Sequence, residues 1–225
     1  MNKMIVSPWL SVSPYGPVTC SQPSGDDLVH LRQGELDGAC GPYCLVMALM
    51  ILGVIGREQA QNMHHWDGRT REGRLRDKLR EFGSLVTAGT NISDLCELAD
   101  CFQGKGISSS VVAGAKKEIV DAVARAVDDC QVPIVSVDWA GGSGHWLLVV
   151  GYQGYDDDGA FQLTHLLCLD PGSEAPKTSL WNAVVEVFDE DGRSVDRGRL
   201  PSNHWGLDGK TGRCRISSSV ILKTT

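Results

Sequence analysis

The spacing of apolar residues changes period once along the chain. The stretch "LDGACGPYCLVMALMILGV", residues 36 to 54, turns through Asp-Gly, passes two cysteines four apart and then runs almost wholly apolar. Apolar on every side, it predicts a buried helix over about 41–52 that ends near Gly53. Residues 71–82 and 91–103 predict two further helices, the second opened by Asn91 or Ser93 with Leu95, Leu98 and Phe102 on one face. A fourth, "AKKEIVDAVARAVDDC", gathers Ile119, Val123, Ala126 and Val127 at helical spacing. From Pro133 the pattern shortens. "PIVSVDW", "HWLLVVGY", "FQLTHLLCLD", "NAVVEVFD" and "RISSSVILK" are rich in β-branched residues, separated by Gly, Asp and Pro, and predict strands.

Helices followed by strands predict an α+β fold, with the helices on one side of an antiparallel sheet. The expected organisation is a single domain over residues 1–225. Within it, 1–30 form an irregular or edge-strand lead-in, 31–130 a mainly helical half and 131–225 a mainly strand half. The acidic "DDDG" at 156–159 predicts a solvated hairpin tip.

Composition narrows the function classes. A chain of 225 residues buries a core without cross-links, and 42% hydrophobic with 22% charged content excludes disorder and fibrous classes. The net charge is -7, and basic residues cluster only in "RTREGRLRDKLR", 69–80, where acids intervene. That stretch reads as a solvated helix face, and nucleic acid is not expected as a partner. The longest apolar run, 44–55, is too short to span a bilayer, so no membrane insertion is expected. The first residues show no apolar signal core, which implies a cytoplasmic origin. Of the eight cysteines, Cys44, Cys96 and Cys168 lie within apolar periodic segments, and reduced thiols are expected throughout.

One thiol has the setting for chemistry. At the first position of its helix, Cys40 would lie beside unpaired backbone N–H groups and the positive end of the helix dipole, which favour thiolate. Cys44, one turn deeper, is better suited to the core. Among the histidines, His145 opens an apolar strand directly after the glycine-rich "GGSG", where a base would be firmly held with open access. His64 and His65 fall in a polar loop, His165 on a strand among apolar neighbours, and His30 could line a site. Asp170 ends "HLLCLD" before Pro171-Gly172 and could orient an imidazole on an adjacent strand, or simply cap the turn.

"QGELDGACGPYCLVMAL", "GHWLLVVGY" and "LCLDPG", in that order, resemble the papain-like cysteine peptidases, most nearly the bacterial branch related to double-glycine leader peptidases of bacteriocin exporters. The resemblance implies a papain-like fold whose central, nucleophile-bearing helix packs on an antiparallel sheet. It also implies Cys40 as nucleophile, His145 as general base and acid, Asp170 as orienting group and Gln33 as oxyanion donor. Gln33 stands seven residues before Cys40, one more than the family spacing, so the Gly34–Gly38 turn must absorb a residue. "NHWG" at 203–206 resembles the Asn-Ser-Trp-Gly of papain and offers Asn203 as a rival to Asp170.

The expected function is hydrolysis of a peptide or isopeptide bond in a protein or peptide substrate, through a thioester and with no cofactor or metal. The chain would act in the cytoplasm, or after delivery into a target cell without a signal peptide. Three alternatives stand beside this reading. An acyltransferase would resolve the thioester with an amine. Cys40 and Cys44 could share a metal with His64 and His65. A silent module of the same fold would bind a partner.

Overall fold

The computed structural model describes residues 2–20, 25–34, 38–83, 89–157 and 160–224. Its centre is one antiparallel sheet of long strands. β1 (Asn2–Val6) comes first, followed by a small hairpin of β2 (Leu10–Ser13) and β3 (Gly16–Thr19). The helices α1 (Cys40–Ile51), α2 (Arg57–Gln61), α3 (Arg71–Glu81) and α4 (Ile92–Asp100) follow. β4 (Ile107–Ala113) and α5 (Lys116–Asp128) precede the main strands β5 (Val132–Trp139), β6 (Gly144–Asp157), β7 (Ala160–Leu169), β8 (Ala183–Glu186), β9 (Ser202–Gly206) and β10 (Thr211–Thr224).

The expected α+β layout, a papain-like helix packed on an antiparallel sheet, is corrected by the strand order. β6, β5, β10, β9, β8 and β7 pair in sequence, and β7 pairs back onto β6, so six strands close into a mostly antiparallel β-barrel with few helices. β1 joins it along β6 and β4 along β10, outside the closed ring. Closure requires strands long enough to serve two neighbours and bent enough to return. β6 and β10, 14 residues each, provide the length. Register shifts at Val149/Gly151, Gln153/Gly154 and Ile216/Ser218 provide the bends. At Gly154 a Cβ would strike the Phe161 ring and the carbonyl of Gln162, so only glycine allows that close crossing. Asp157 of β6 pairs with Ala160 of β7, and residues 158–159, the centre of the hairpin tip expected at the acidic run, lie outside the described residues.

Alternation along the strands divides the core. Ile134, Trp146, Leu148, Val150, Leu167 and Leu169 face α1, α3 and α4. Val135, Leu147, Val149, Cys168, Val185 and Cys214 face the opposite way and share a cluster with α5. In α1 every residue except Tyr43 is buried, as the all-round apolar pattern requires. Its C-terminus is closed by Gly53 at φ 69°, with Gly53 N–H on Met50 O and Val54 N–H on Leu49 O, the paired bonds of a left-handed glycine cap. Asn91 caps α4 reciprocally with Asp94, and Thr70 caps α3. In α3, Leu75, Leu79 and Glu72 are buried while Arg74 and Arg80 face solvent. Among the described residues no helix is long and apolar enough to cross a membrane.

Leu148 joins α1 to the barrel. Leu148→Ala should lower the unfolding free energy by roughly 2–5 kcal/mol, measured by urea denaturation.

Candidate active site

Cys40 is the first residue of α1, and the helix has neither a capping side chain nor an acidic residue in its first turn. The end of the dipole and its free N–H groups are therefore left to the thiol itself. Cys40 is buried, which by itself raises its pKa. Hydrogen bonding and charge attraction from His145, together with the N–H groups of Trp146 and Gly41, outweigh burial and hold the thiol below its ordinary value. Gly41 is required by this fit, since a Cβ there would lie 2.1 Å from Thr90 Oγ1 and 3.0 Å from the Trp146 indole. Trp146 is fixed in turn by its Nε1–H on Thr90 O at 2.9 Å. Pro42, in the first turn, removes an N–H that has no helical acceptor.

His145 lies at the start of β6, opposite Val137 of β5. The β6–β7 pairing begins with Leu148 opposite Leu169. Continuing that register sets Asp170 opposite Leu147, on the face His145 shares and one diagonal step away. His145 Nε2 meets Asp170 Oδ1 at 2.7 Å, which leaves Nδ1 for the sulfur of Cys40. Burial lowers the imidazole's pKa, but hydrogen bonds to Asp170 and Cys40, reinforced by their negative charge, raise it to about 10. Asp170 is also buried, which favours the neutral acid. His145, the nearby His204 and the Gly172 N–H at 2.7 Å reverse this and hold the carboxyl far below the usual range.

A polar network holds the Asp170 backbone. Its N–H donates to Asn182 Oδ1 at 2.6 Å, and its carbonyl accepts from Asn182 Nδ2 at 2.9 Å and from His30 Nε2 at 3.0 Å. Asn182 Nδ2 also reaches Glu174 O at 2.9 Å. His30 is thus buried behind the aspartate, supporting it from the main-chain side. His204, on β9, brings Nε2 within 3.4 Å of Asp170 Oδ2. Asn182 and His204 were not expected from sequence. His204 lies within "NHWG", where Asn203 drew attention, but strand alternation turns Asn203 away to donate to Glu186 Oε2 at 3.1 Å.

The structure thus brings Cys40, His145 and Asp170 together. The Gln33 N–H donates to Pro171 O at 2.8 Å, which fixes its main chain beside the Asp170 turn. The centre of the Gly34–Gly38 turn, residues 35–37, lies outside the described residues. Cys44 donates to Trp146 O at 3.4 Å, and burial drives its pKa well above the ordinary value, which makes it inert. His64 and His65 stack on each other in an exposed turn, so the four residues considered for a metal do not form a cluster. His165 lies on β7, its Nδ1 2.8 Å from Thr164 Oγ1. A cavity of about 300 Å³, lined by Trp139, Ser173, His204, Lys210 and Gly212, opens beside His145 and Asp170. No known family model matches the chain, and no curated protein is significantly similar to it.

Two outcomes follow from this geometry. With the thiol pKa lowered and the imidazole pKa raised to about 10, the thiolate–imidazolium pair should form at a lower pH than that at which an ordinary thiol ionises. Alkylation of Cys40 by iodoacetamide should then proceed below the ordinary thiol range of about pH 8.5 and fall only as the thiolate takes up a proton. Gly41→Ala should displace α1 from Trp146 and reduce this acid-side reactivity at least about tenfold, since even ångström-scale misplacement is costly.

Proposed function

We propose that the chain is a cysteine peptidase, a thiol hydrolase that cleaves a peptide or isopeptide bond. The observation that carries this reading is the continuous contact from the Cys40 sulfur through His145 to Asp170, with the thiol's pKa lowered despite burial. The order Cys, His, Asp along the chain, shared with the peptidases that the motifs resemble, adds support.

In the proposed reaction the Cys40 thiolate attacks the carbonyl carbon, and the oxygen becomes an oxyanion. The Cys40 backbone N–H and the Gln33 side chain are the proposed donors to it, each lowering the barrier by roughly 3–4 kcal/mol. His145 gives its proton to the departing amine, leaving a thioester on Cys40. The same ring, now neutral, takes a proton from water as the water attacks the thioester, and the thiolate–imidazolium pair is restored as the acid leaves. Asp170 keeps the ring in place and stabilises its cation through both steps. The leaving amine belongs on the His145 side, beside the cavity at the barrel mouth. An apolar cavity of about 200 Å³, lined by Ala39, Pro42, Tyr43, Val46, Met63 and Leu79, flanks the other side of the α1 terminus and suits an apolar side chain of the acyl portion. All eight cysteines are free. A thiolate nucleophile functions where thiols stay reduced, which supports action in the cytoplasm of the producing or receiving cell.

Cys40→Ala and Cys40→Ser should abolish hydrolysis, whereas Cys44→Ala should mainly lower the melting temperature. Incubating the wild-type and Cys40→Ala proteins with a peptide library and reading products by mass tests this, and wild-type turnover by the variant would reject the assignment. Gln33→Ala should lower kcat about 100-fold with little change in KM.

A further inference from the structure

The aspartate that supports His145 has a second imidazole on its other oxygen. Oδ1 is occupied by His145 Nε2 and the Gly172 N–H, both at 2.7 Å. Oδ2 faces His204 Nε2 at 3.4 Å, an ion-pair contact, and that buried nitrogen has no hydrogen-bond partner among the described residues. His204 is only 5% exposed. Its position is set by the barrel. The β9 register places it between Val185 of β8 and Gly212 of β10, and Trp139 of β5 meets its ring edge-on at a centroid distance of 5.1 Å. Gly212 has no side chain to occupy the space, and a Cβ there would touch the same indole. A polar ring held this firmly against a single carboxylate oxygen needs a reason, because burying an imidazole without a hydrogen bond is unfavourable.

We propose that His204 is a positioning residue: it directs Nε2–H at Asp170 Oδ2, stops the carboxylate turning about its Cβ–Cγ bond, and so keeps Oδ1 on His145. The proposal rests on the hydrolase reading above. Without His204, Asp170 would be free to rotate toward the barrel-mouth cavity and exchange His145 for water. The charged and titratable groups around His204 are Asp170 and His145 on the strand ends, Lys210 with its partner Asp208 in the β9–β10 turn, and Cys214 one pair along β10. Of these, Asp170 and His145 are in line with Cys40. Lys210 is anchored to Gly172 O and Asp208, facing the cavity from the far side.

The test is the pH profile of Cys40 alkylation by iodoacetamide in the full chain, read residue by residue by mass spectrometry. The exposed Cys20 and Cys130 serve as internal references. In His204→Ala the acid limb for Cys40 should move to higher pH, slowing the acid-side rate about tenfold, while Cys20 and Cys130 keep their rates. His204→Gln, which retains an N–H donor, should stay within about threefold of wild type. His204→Phe keeps the ring bulk against Trp139 and lacks the donor, so it should behave like His204→Ala and replaces it if that variant does not fold. Turnover of any cleaved peptide should lose kcat rather than gain KM in the Ala and Phe variants. Profiles of folded His204→Ala or His204→Phe superimposable on wild type would overturn the proposal. A wild-type Cys40 no more reactive in acid than Cys20 and Cys130 would overturn the hydrolase reading, and this proposal with it.

Discussion

The hydrogen bond between His145 Nε2 and Asp170 Oδ1 is the interaction on which the site depends. Its ends are 25 residues apart in sequence and meet because β6 and β7 form a hairpin whose register sets them on one face. Asp170 is buried and His145 is partly buried, and burying a carboxylate costs several kcal/mol unless it is paired and hydrogen-bonded. The surroundings meet that requirement at every atom: two donors on Oδ1, an imidazole beside Oδ2, and Asn182 and His30 on the main chain. The ionised carboxylate favours the protonated imidazole, and that cation in turn favours the thiolate. Each link is electrostatic, and each depends on the one before it.

The same chain of dependence explains why a helix apolar on all sides ends at a thiol. α1 is buried along its whole length, which fixes where its first turn can lie. A surface helix would allow the N-terminal turn to fray, and the sulfur with it. Among the described residues no side chain caps α1, and the Gly41 N–H is directed at the Cys40 sulfur. By contrast α3 and α4 have their N-termini closed by Thr70 and Asn91.

Much of this was legible in the sequence, for identifiable reasons. Helical period marked α1, α3, α4 and α5 to within a few residues, because each buries a distinct face or, for α1, all faces. β-branched runs marked five of the six strands after residue 131, β5 to β8 and β10. The closure of the sheet was not legible. It depends on register shifts near Gly151, Gly154 and Ser218 and on β9, whose sequence Ser-Asn-His-Trp-Gly carries no apolar alternation. β4 was hidden for a similar reason, since three consecutive serines, Ser108 to Ser110, conceal a strand that pairs along β10. At the site, Cys40, His145 and Asp170 stood out through neighbours with a local meaning: a helix start, a glycine-rich loop, an Asp-Pro stop. Asn182 and His204 have no such neighbours. They reach Asp170 only through pairings of β7, β8 and β9 that no local pattern encodes.

The two faces of the strands pack into separate clusters, one with α1 and one with α5, and the Cys40–His145 pair straddles them, which requires a rigid connection. β6 supplies it within two residues. His145 turns to the face that holds Val137 and Asp170, and Trp146 turns to the opposite face, into the cluster around α1. The Trp146 indole N–H donates to Thr90 O, its backbone N–H points at the Cys40 sulfur, and its backbone carbonyl accepts from Cys44 one helical turn on. A strand's period of two therefore performs what two separate supports would otherwise have to do. A shift of β6 by one residue would exchange the two faces, carrying the imidazole into the apolar cluster and the indole to the barrel mouth. The register of one strand, set by apolar side chains along it, is thus what places the His145 ring and the Cys40 sulfur within reach of each other.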